Sequence, residues 1–133
     1  MDLGCGDGRV LHTAAQKIGC KCIGVETDEQ LLTELLRLLG VADLCSWVRE
    51  DITTMLFDQH ASSVTVLVMY LLPHGMGALT PVICVNLLQA RESGRVLRVV
   101  SMVFPFDAGA VVPVATDEEW KLQLYDTTSS VIG

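Results

Sequence analysis

Basic side chains are scarce in this 133-residue chain: nine Lys and Arg stand against sixteen Asp and Glu, a formal net charge of −7. A chain with that balance gains little from counterion release on a phosphate backbone, so nucleic acid is not an expected partner. Charged residues make up only 19% and hydrophobic ones 50%, which excludes intrinsic disorder and fits one domain around a buried core. No apolar run reaches the roughly 18 residues that span a bilayer; the richest, residues 64–73, is too short, so no membrane insertion is expected. The five cysteines (Cys5, Cys20, Cys22, Cys45 and Cys84) form neither a CxxC pair nor the even framework of a secreted protein. Amid apolar neighbours they read as reduced structural thiols, and no metal site is expected. Repeats, low-complexity tracts, linkers and a signal peptide are missing too.

What is present alternates regularly. Val10, Leu11, Ala14, Ala15 and Ile18 form a helical stripe over Arg9–Ile18, stopped by Gly19. Residues 21–26 (KCIGVE) are short, apolar and β-like. Thr27 and Gln30 then stand in capping-box spacing, Asp28 and Glu29 fill a first turn, and six leucines between positions 31 and 39 predict a helix closed by Gly40. Residues 45–50 (CSWVRE) and 64–70 (VTVLVMY) predict a third and fourth strand, the latter buried on both faces. Thr80 and Pro81 read as the N-cap and first residue of a helix running to about Arg91, with Gly94 as terminator. Residues 95–103 predict a fifth strand, and 120–125 (WKLQLY) an edge or antiparallel one. Strand and helix in this order imply βαβ crossovers and an open α/β sheet.

Ligands of such sheets sit beyond the carboxyl ends of the strands, and chemistry gathers there in this sequence. Gly4, Gly6 and Gly8 alternate in a turn that lets backbone approach a ligand closely, with a helix N-terminus following at Arg9. Glu26 ends the next strand twenty residues after Gly6, the separation at which an acidic residue reaches ribose hydroxyls. Glu50 and Asp51 end the third, beside apolar Ile52; an acceptor next to an apolar residue suits an adenine amino group and ring. A nicotinamide dinucleotide fits less well, because its fingerprint is G-x-G-x-x-G and its pyrophosphate would meet Asp2 and Asp7.

DLGCGDGR, GVETDEQLL and REDI, with YLLP (residues 70–73) and RVVSMVFPF (residues 98–106) downstream, resemble the successive motifs of class I S-adenosylmethionine-dependent methyltransferases. The later segments are similar to the branch containing mitochondrial protein-lysine methyltransferases and bacterial relatives. The resemblance implies an open, mostly parallel Rossmann-like α/β sheet with helices on both faces and an antiparallel strand near the C-terminus. It implies S-adenosyl-L-methionine as cofactor, held by Asp2, Gly4, Cys5, Gly6, Gly8, Glu26, Thr27, Asp51 and Ile52. Asp2 would orient the methionine amino group, Glu26 both ribose hydroxyls and Asp51 the adenine amino group. Tyr70 and the Leu71-Leu72-Pro73 turn would lie at the methyl acceptor, with Tyr70 as the catalytic candidate. The Asn/Asp-Pro-Pro-Tyr motif of nitrogen-base methylators is absent.

The implied reaction is in-line methyl transfer, with a protein lysine as expected acceptor and a small molecule as the alternative. His74 reads as a solvated loop residue, His12 and His60 as surface, and Trp47 and Trp120 as core or sheet packing. Only Met1, Asp2 and Leu3 precede the glycine loop, against the five or six residues of a usual strand. The reading is therefore an N-terminally incomplete methyltransferase domain over residues 1–133, its central first strand truncated, part of a longer protein or else a weakened, non-catalytic fragment. An intracellular location is expected, cytoplasmic by default and mitochondrial if a targeting segment precedes.

Overall fold

The computed structural model describes residues 1–31, 34, 43–53, 58–107 and 109–132. They fall into two compact units, residues 1–55 and 56–133.

The first unit holds strands β1 (Asp2–Leu3), β2 (Cys22–Val25) and β3 (Cys45–Val48) and helix α1 (Arg9–Ile18). The strands run parallel in the order β3-β2-β1, with Leu3 opposite Val25 and Val25 opposite Val48. Helix α1 has the bounds its pattern predicts. Leu11 and Ala15 are buried, and the Gly19 N–H donates to the Ala15 carbonyl at 3.1 Å to close the last turn. Between α1 and the strands lie Cys5, Leu11, Ala15 and Cys22, with Trp47 and Cys45 half-buried against them. All five cysteines are free thiols, as their apolar neighbours lead one to expect. Most of the leucine-rich helix lies outside the described residues. Its start is described and differs from the capping box: Asp28 Oδ1 accepts from the Gln30 N–H at 2.8 Å and the Leu31 N–H at 3.4 Å. Asp28 is therefore the cap, because the Thr27 N–H is already given to Glu26.

The second unit holds helix α2 (Asp58–Ala61), strand β4 (Val66–Met69), helix α3 (Pro73–Ser93) and strands β5 (Arg98–Met102), β6 (Ala115–Asp117) and β7 (Leu122–Asp126). Strands β4 and β5 are parallel, β7 runs antiparallel to β5 and β6 antiparallel to β7, giving the order β4-β5-β7-β6. Leu67, Met69 and Val99 from the strands, and Met76, Leu79, Ile83, Leu87 and Ala90 from α3, are buried. The Phe106 and Tyr125 rings meet edge to face at 4.8 Å.

Two expectations are corrected here. Helix α3 starts at Pro73, not at Thr80–Pro81, so Pro81 lies inside it. A mid-helix proline removes a hydrogen bond and costs roughly 3 kcal/mol. Burial of Met76 and Leu79 in the turn before it, each worth about 1.5–3 kcal/mol, outweighs that loss. Thr80 is buried, donates its hydroxyl to the Met76 carbonyl at 2.9 Å and accepts the Asp107 N–H at 3.4 Å. Trp120 does not pack in the sheet: it sits in the β6–β7 turn, 69% exposed.

Gly24 of β2 is where the first unit is tightest. An added Cβ would lie 2.6 Å from Leu11 Cδ1, 2.8 Å from Cys5 Sγ and 2.9 Å from Trp47 Cδ1. Gly24→Ala is expected to lower stability by about 1–3 kcal/mol, the usual cost of overpacking, read as a lower midpoint in chemical denaturation with an unchanged slope.

Candidate functional site

The turn from β1 to α1 is shaped by backbone that only glycine adopts readily. Gly4, Gly6 and Gly8 have φ of 76°, 56° and 72°. The N–H groups of Gly4 and Cys5 both donate to the Val25 carbonyl, at 2.8 and 3.0 Å, which fastens the turn to the end of β2. Helix α1 begins without a side-chain cap, so its first amides point out of the turn unclaimed by any side chain except Asp7, which accepts the Arg9 N–H at 3.2 Å. Arg9, the sole cation of the turn, is ion-paired with Asp7, whose carboxyl it holds below the usual carboxylate range.

Glu26 stands one residue past β2, and its carboxylate is fixed by backbone. Oε2 accepts the Gly6 N–H at 2.9 Å; Oε1 accepts the Thr27 N–H at 2.9 Å and the Asp28 N–H at 3.2 Å. The glycine turn and the acidic strand end, separate in sequence, are thus in direct contact. Thr27 is among the residues the resemblance implies, whereas the Asp28 amide is a part of the site that the sequence did not reveal. The signal was there in the two short polar residues after Glu26, a loop that turns its N–H groups back.

Asp2, on β1, is only 5% exposed. Burial pushes its carboxyl up to about 6, reinforced by Glu26 and opposed by the chain's amino group. The Cys5 side chain points into the apolar layer beneath the turn, and its thiol is pushed up to about 12 by burial and by the charges of Asp2 and Glu26. Cys5 can therefore offer a ligand its backbone but no thiolate.

Asp51 lies three residues beyond β3, the strand next to β2. It is exposed and folds back on its own turn, Oδ1 accepting the Thr53 N–H at 2.8 Å and the Thr53 hydroxyl at 2.6 Å. Those bonds hold its carboxyl below the ordinary range, so it stays an ionised acceptor beside half-buried Ile52. Along β1, β2 and β3, then, the glycine turn, Glu26 and Asp51 occupy successive carboxyl ends about 4.8 Å apart. Tyr70 belongs to the second unit, directly after β4, and is 61% exposed; His74 is exposed in the first turn of α3.

Chemically, the first-unit site offers carboxylates and backbone amides, and among the described residues the cation of its turn, Arg9, is committed to Asp7. It suits a polar ligand bearing positive charge and hydroxyl donors, and repels phosphate.

Asp2 also gives the site a pH signature. The folded chain keeps this proton to about pH 6, whereas an unperturbed Asp loses it near 3.8. The folded state therefore binds more protons between those values. The stabilising contribution is full below pH 3.8 and is lost as pH rises through 6. Asp2→Asn is expected to equal the wild type in stability near pH 4 and to exceed it by about 3 kcal/mol at pH 7. Parallel urea titrations across that range give the difference.

Residues 2–112 match the family model of the ANTKMT methyltransferase domain. Among curated proteins, a protein-lysine N-methyltransferase of Saccharolobus islandicus is 36% identical over 84 residues, which cover 60% of this chain and 50% of that protein. The chain thus spans about half the length of this curated relative. Among solved structures, an RNA methyltransferase from Salinibacter ruber bound to S-adenosyl-L-homocysteine aligns with a TM-score of 0.69 and 30% identity, over 92% of this chain and 75% of that one. A SAM-dependent methyltransferase from Thiobacillus denitrificans, also bound to S-adenosyl-L-homocysteine, shares the fold at 20% identity, with a TM-score of 0.57 over 75% of this chain and 39% of that one. The Rossmann-like α/β architecture with antiparallel strands at the C-terminal end is the fold of these neighbours as well.

Proposed function

Because the chain belongs to the ANTKMT methyltransferase domain family, we propose that it is a class I S-adenosylmethionine-dependent methyltransferase acting on protein lysine. The observation that carries the cofactor reading is Glu26, held at the end of β2 by the backbone amides of Gly6, Thr27 and Asp28. A carboxylate has about four acceptor positions. A vicinal diol donates two hydrogen bonds, so one remaining position takes the first and the long Asp28 contact at 3.2 Å is the one to yield for the second. Asp2 faces the cationic end: a buried carboxylate with a raised pKa is stabilised in its ionised form by a nearby ammonium or sulfonium. The glycine turn brings backbone close to the methionine moiety, and Asp51 with Ile52 serves the adenine. S-adenosylmethionine, when bound, supplies an electrophilic methyl group to a nucleophile.

Lysine as acceptor is supported by the Saccharolobus relative's activity and by charge. A net charge of −7 draws a basic protein and repels RNA. The acceptor amine has an ordinary pKa of about 10.4 and must give up a proton to react. Tyr70, exposed beyond β4, offers a phenolic oxygen that accepts a hydrogen bond from the incoming ammonium and orients it.

Calorimetric titration with S-adenosylhomocysteine is expected to show binding that Glu26→Gln and Asp2→Asn each weaken roughly 10-fold or more, the scale of a lost charge-assisted hydrogen bond. Equal affinity in both variants would remove the assigned site. With methyl-labelled cofactor, label should enter a lysine-rich protein and be lost when its lysines are acetylated beforehand. Label in RNA or only in small molecules would overturn the lysine reading. Tyr70→Phe is expected to lower kcat about 10-fold with S-adenosylhomocysteine affinity unchanged.

A further inference from the structure

The second unit leaves large apolar side chains in solvent along one edge of its sheet. Trp120 is 69% exposed, Tyr70 61% and Leu72 74%. Register places them together: Met69 of β4 pairs with Ser101 of β5, and Met102 of β5 pairs with Leu122 of β7. Tyr70 and Leu72 therefore follow β4 on one side of the end of β5, and Trp120 precedes β7 on the other. Two strand spacings, about 10 Å, separate the outer strands.

The Trp120 side is a built element. Residues 118–121 form a four-residue hairpin loop in which the Trp120 N–H donates to Asp117 Oδ1 at 3.0 Å and Lys121 adopts a φ of 51°. The Val103 N–H donates to the Lys121 carbonyl at 2.8 Å, tying the loop to the end of β5. Val103 has a φ of 70°, and the Phe104 N–H reaches back to the Met102 carbonyl at 2.9 Å, closing a γ-turn of the rare positive-φ kind. A β-branched residue pays for that conformation with strain, and what it secures is the position of a hairpin whose tip holds a solvated indole. Around the indole the charge is one-sided: Asp117, Glu118 and Glu119 are exposed, with Lys121 the sole cation of the loop.

We propose that this edge, centred on Trp120, is the surface on which a protein substrate docks, and that it takes a basic, lysine- and arginine-bearing segment. The indole face attracts a guanidinium or ammonium, the carboxylates attract the flanking charges, and Tyr70 and Leu72 cover apolar stems of the same segment. An acidic segment or a polyanion meets repulsion at the hairpin. The proposal rests on the lysine methyltransferase reading and names the class of protein that reading requires.

The experiment uses the full chain and a fluorescein-labelled peptide with one lysine among several arginines, alongside the same peptide with glutamates for arginines. Fluorescence anisotropy at about 50 mM and 300 mM salt reads the affinity, since screening at the higher salt suppresses exposed charge pairs. The basic peptide should bind and the acidic one should not. Trp120→Ala is expected to raise the Kd about fivefold. The double variant Glu118→Gln with Glu119→Gln should raise it about threefold at low salt, with the difference vanishing at high salt. S-adenosylhomocysteine binding should stay at the wild-type value in both. Unchanged peptide affinity in both variants, or equal affinity for the acidic peptide, overturns the proposal. So does sedimentation showing a wild-type dimer that Trp120→Ala dissociates, because the edge would then join two copies of the chain. Failure of the methyltransferase reading shows separately, as a wild type that does not bind S-adenosylhomocysteine.

Discussion

One hydrogen bond organises the site, from the Gly6 amide to the Glu26 carboxylate at 2.9 Å. It joins a turn that leaves β1 to a residue that leaves β2, and it works because the Val25 carbonyl has already drawn the Gly4 and Cys5 amides to the same strand end. Positive φ at Gly4, Gly6 and Gly8 is what lets successive amides turn toward these acceptors. Any side chain at those positions would adopt the backbone only with strain. The absence of a Cβ at Gly24 then lets Leu11, Cys5 and Trp47 close beneath the turn. Turn, strand end and packing are one arrangement, and the position of Glu26 follows from it.

Much of this was legible in the residues. Helix α1 follows from its apolar spacing and Gly19, and β2, β3, β4 and β5 lie inside the apolar runs that mark them, shorter by two to four residues in all. The runs overshoot because an apolar residue beyond the last ladder bond still packs, as buried Val64 and Leu97 do. Thr80 before Pro81 is the better helix start in sequence, since Leu72 before Pro73 caps nothing; burial of Met76 and Leu79 ahead of Pro81 overrides that preference, and burial is a tertiary fact. Strand β6 escaped because all three of its residues are exposed, so no alternation marks it. Trp120 escaped for the related reason that an aromatic next to an alternating run reads as part of the run, whereas Lys121 at positive φ ends the turn one residue later.

At the site, residue types and spacing pointed to Glu26 and the glycines, and the backbone brings these into contact. The role of Thr27 as a backbone donor was not visible, because amide direction depends on the path of the chain and not on its side chains. Asp51 shows the converse. Its carboxylate is committed to Thr53, so the strand-end position is as expected but the side chain already has partners in its own turn.

The sign of the charge sets this glycine turn apart from one built for phosphate. A phosphate site relies on amides and the helix N-terminus and tolerates no carboxylate close by. Here Asp2 is buried beside that turn, and burial, reinforced by Glu26, pushes its carboxyl up to about 6, so its ionised form is unfavourable there. The penalty falls on folding for as long as nothing compensates the charge. A cation placed there removes it, so part of the binding free energy of a positively charged ligand is relief of an unfavourable ionisation already built into the chain. An anion would deepen the same penalty. For the proposed cofactor, a preference for positive charge over a pyrophosphate then needs no dedicated contact: it follows from setting a carboxylate where burial makes its charge costly.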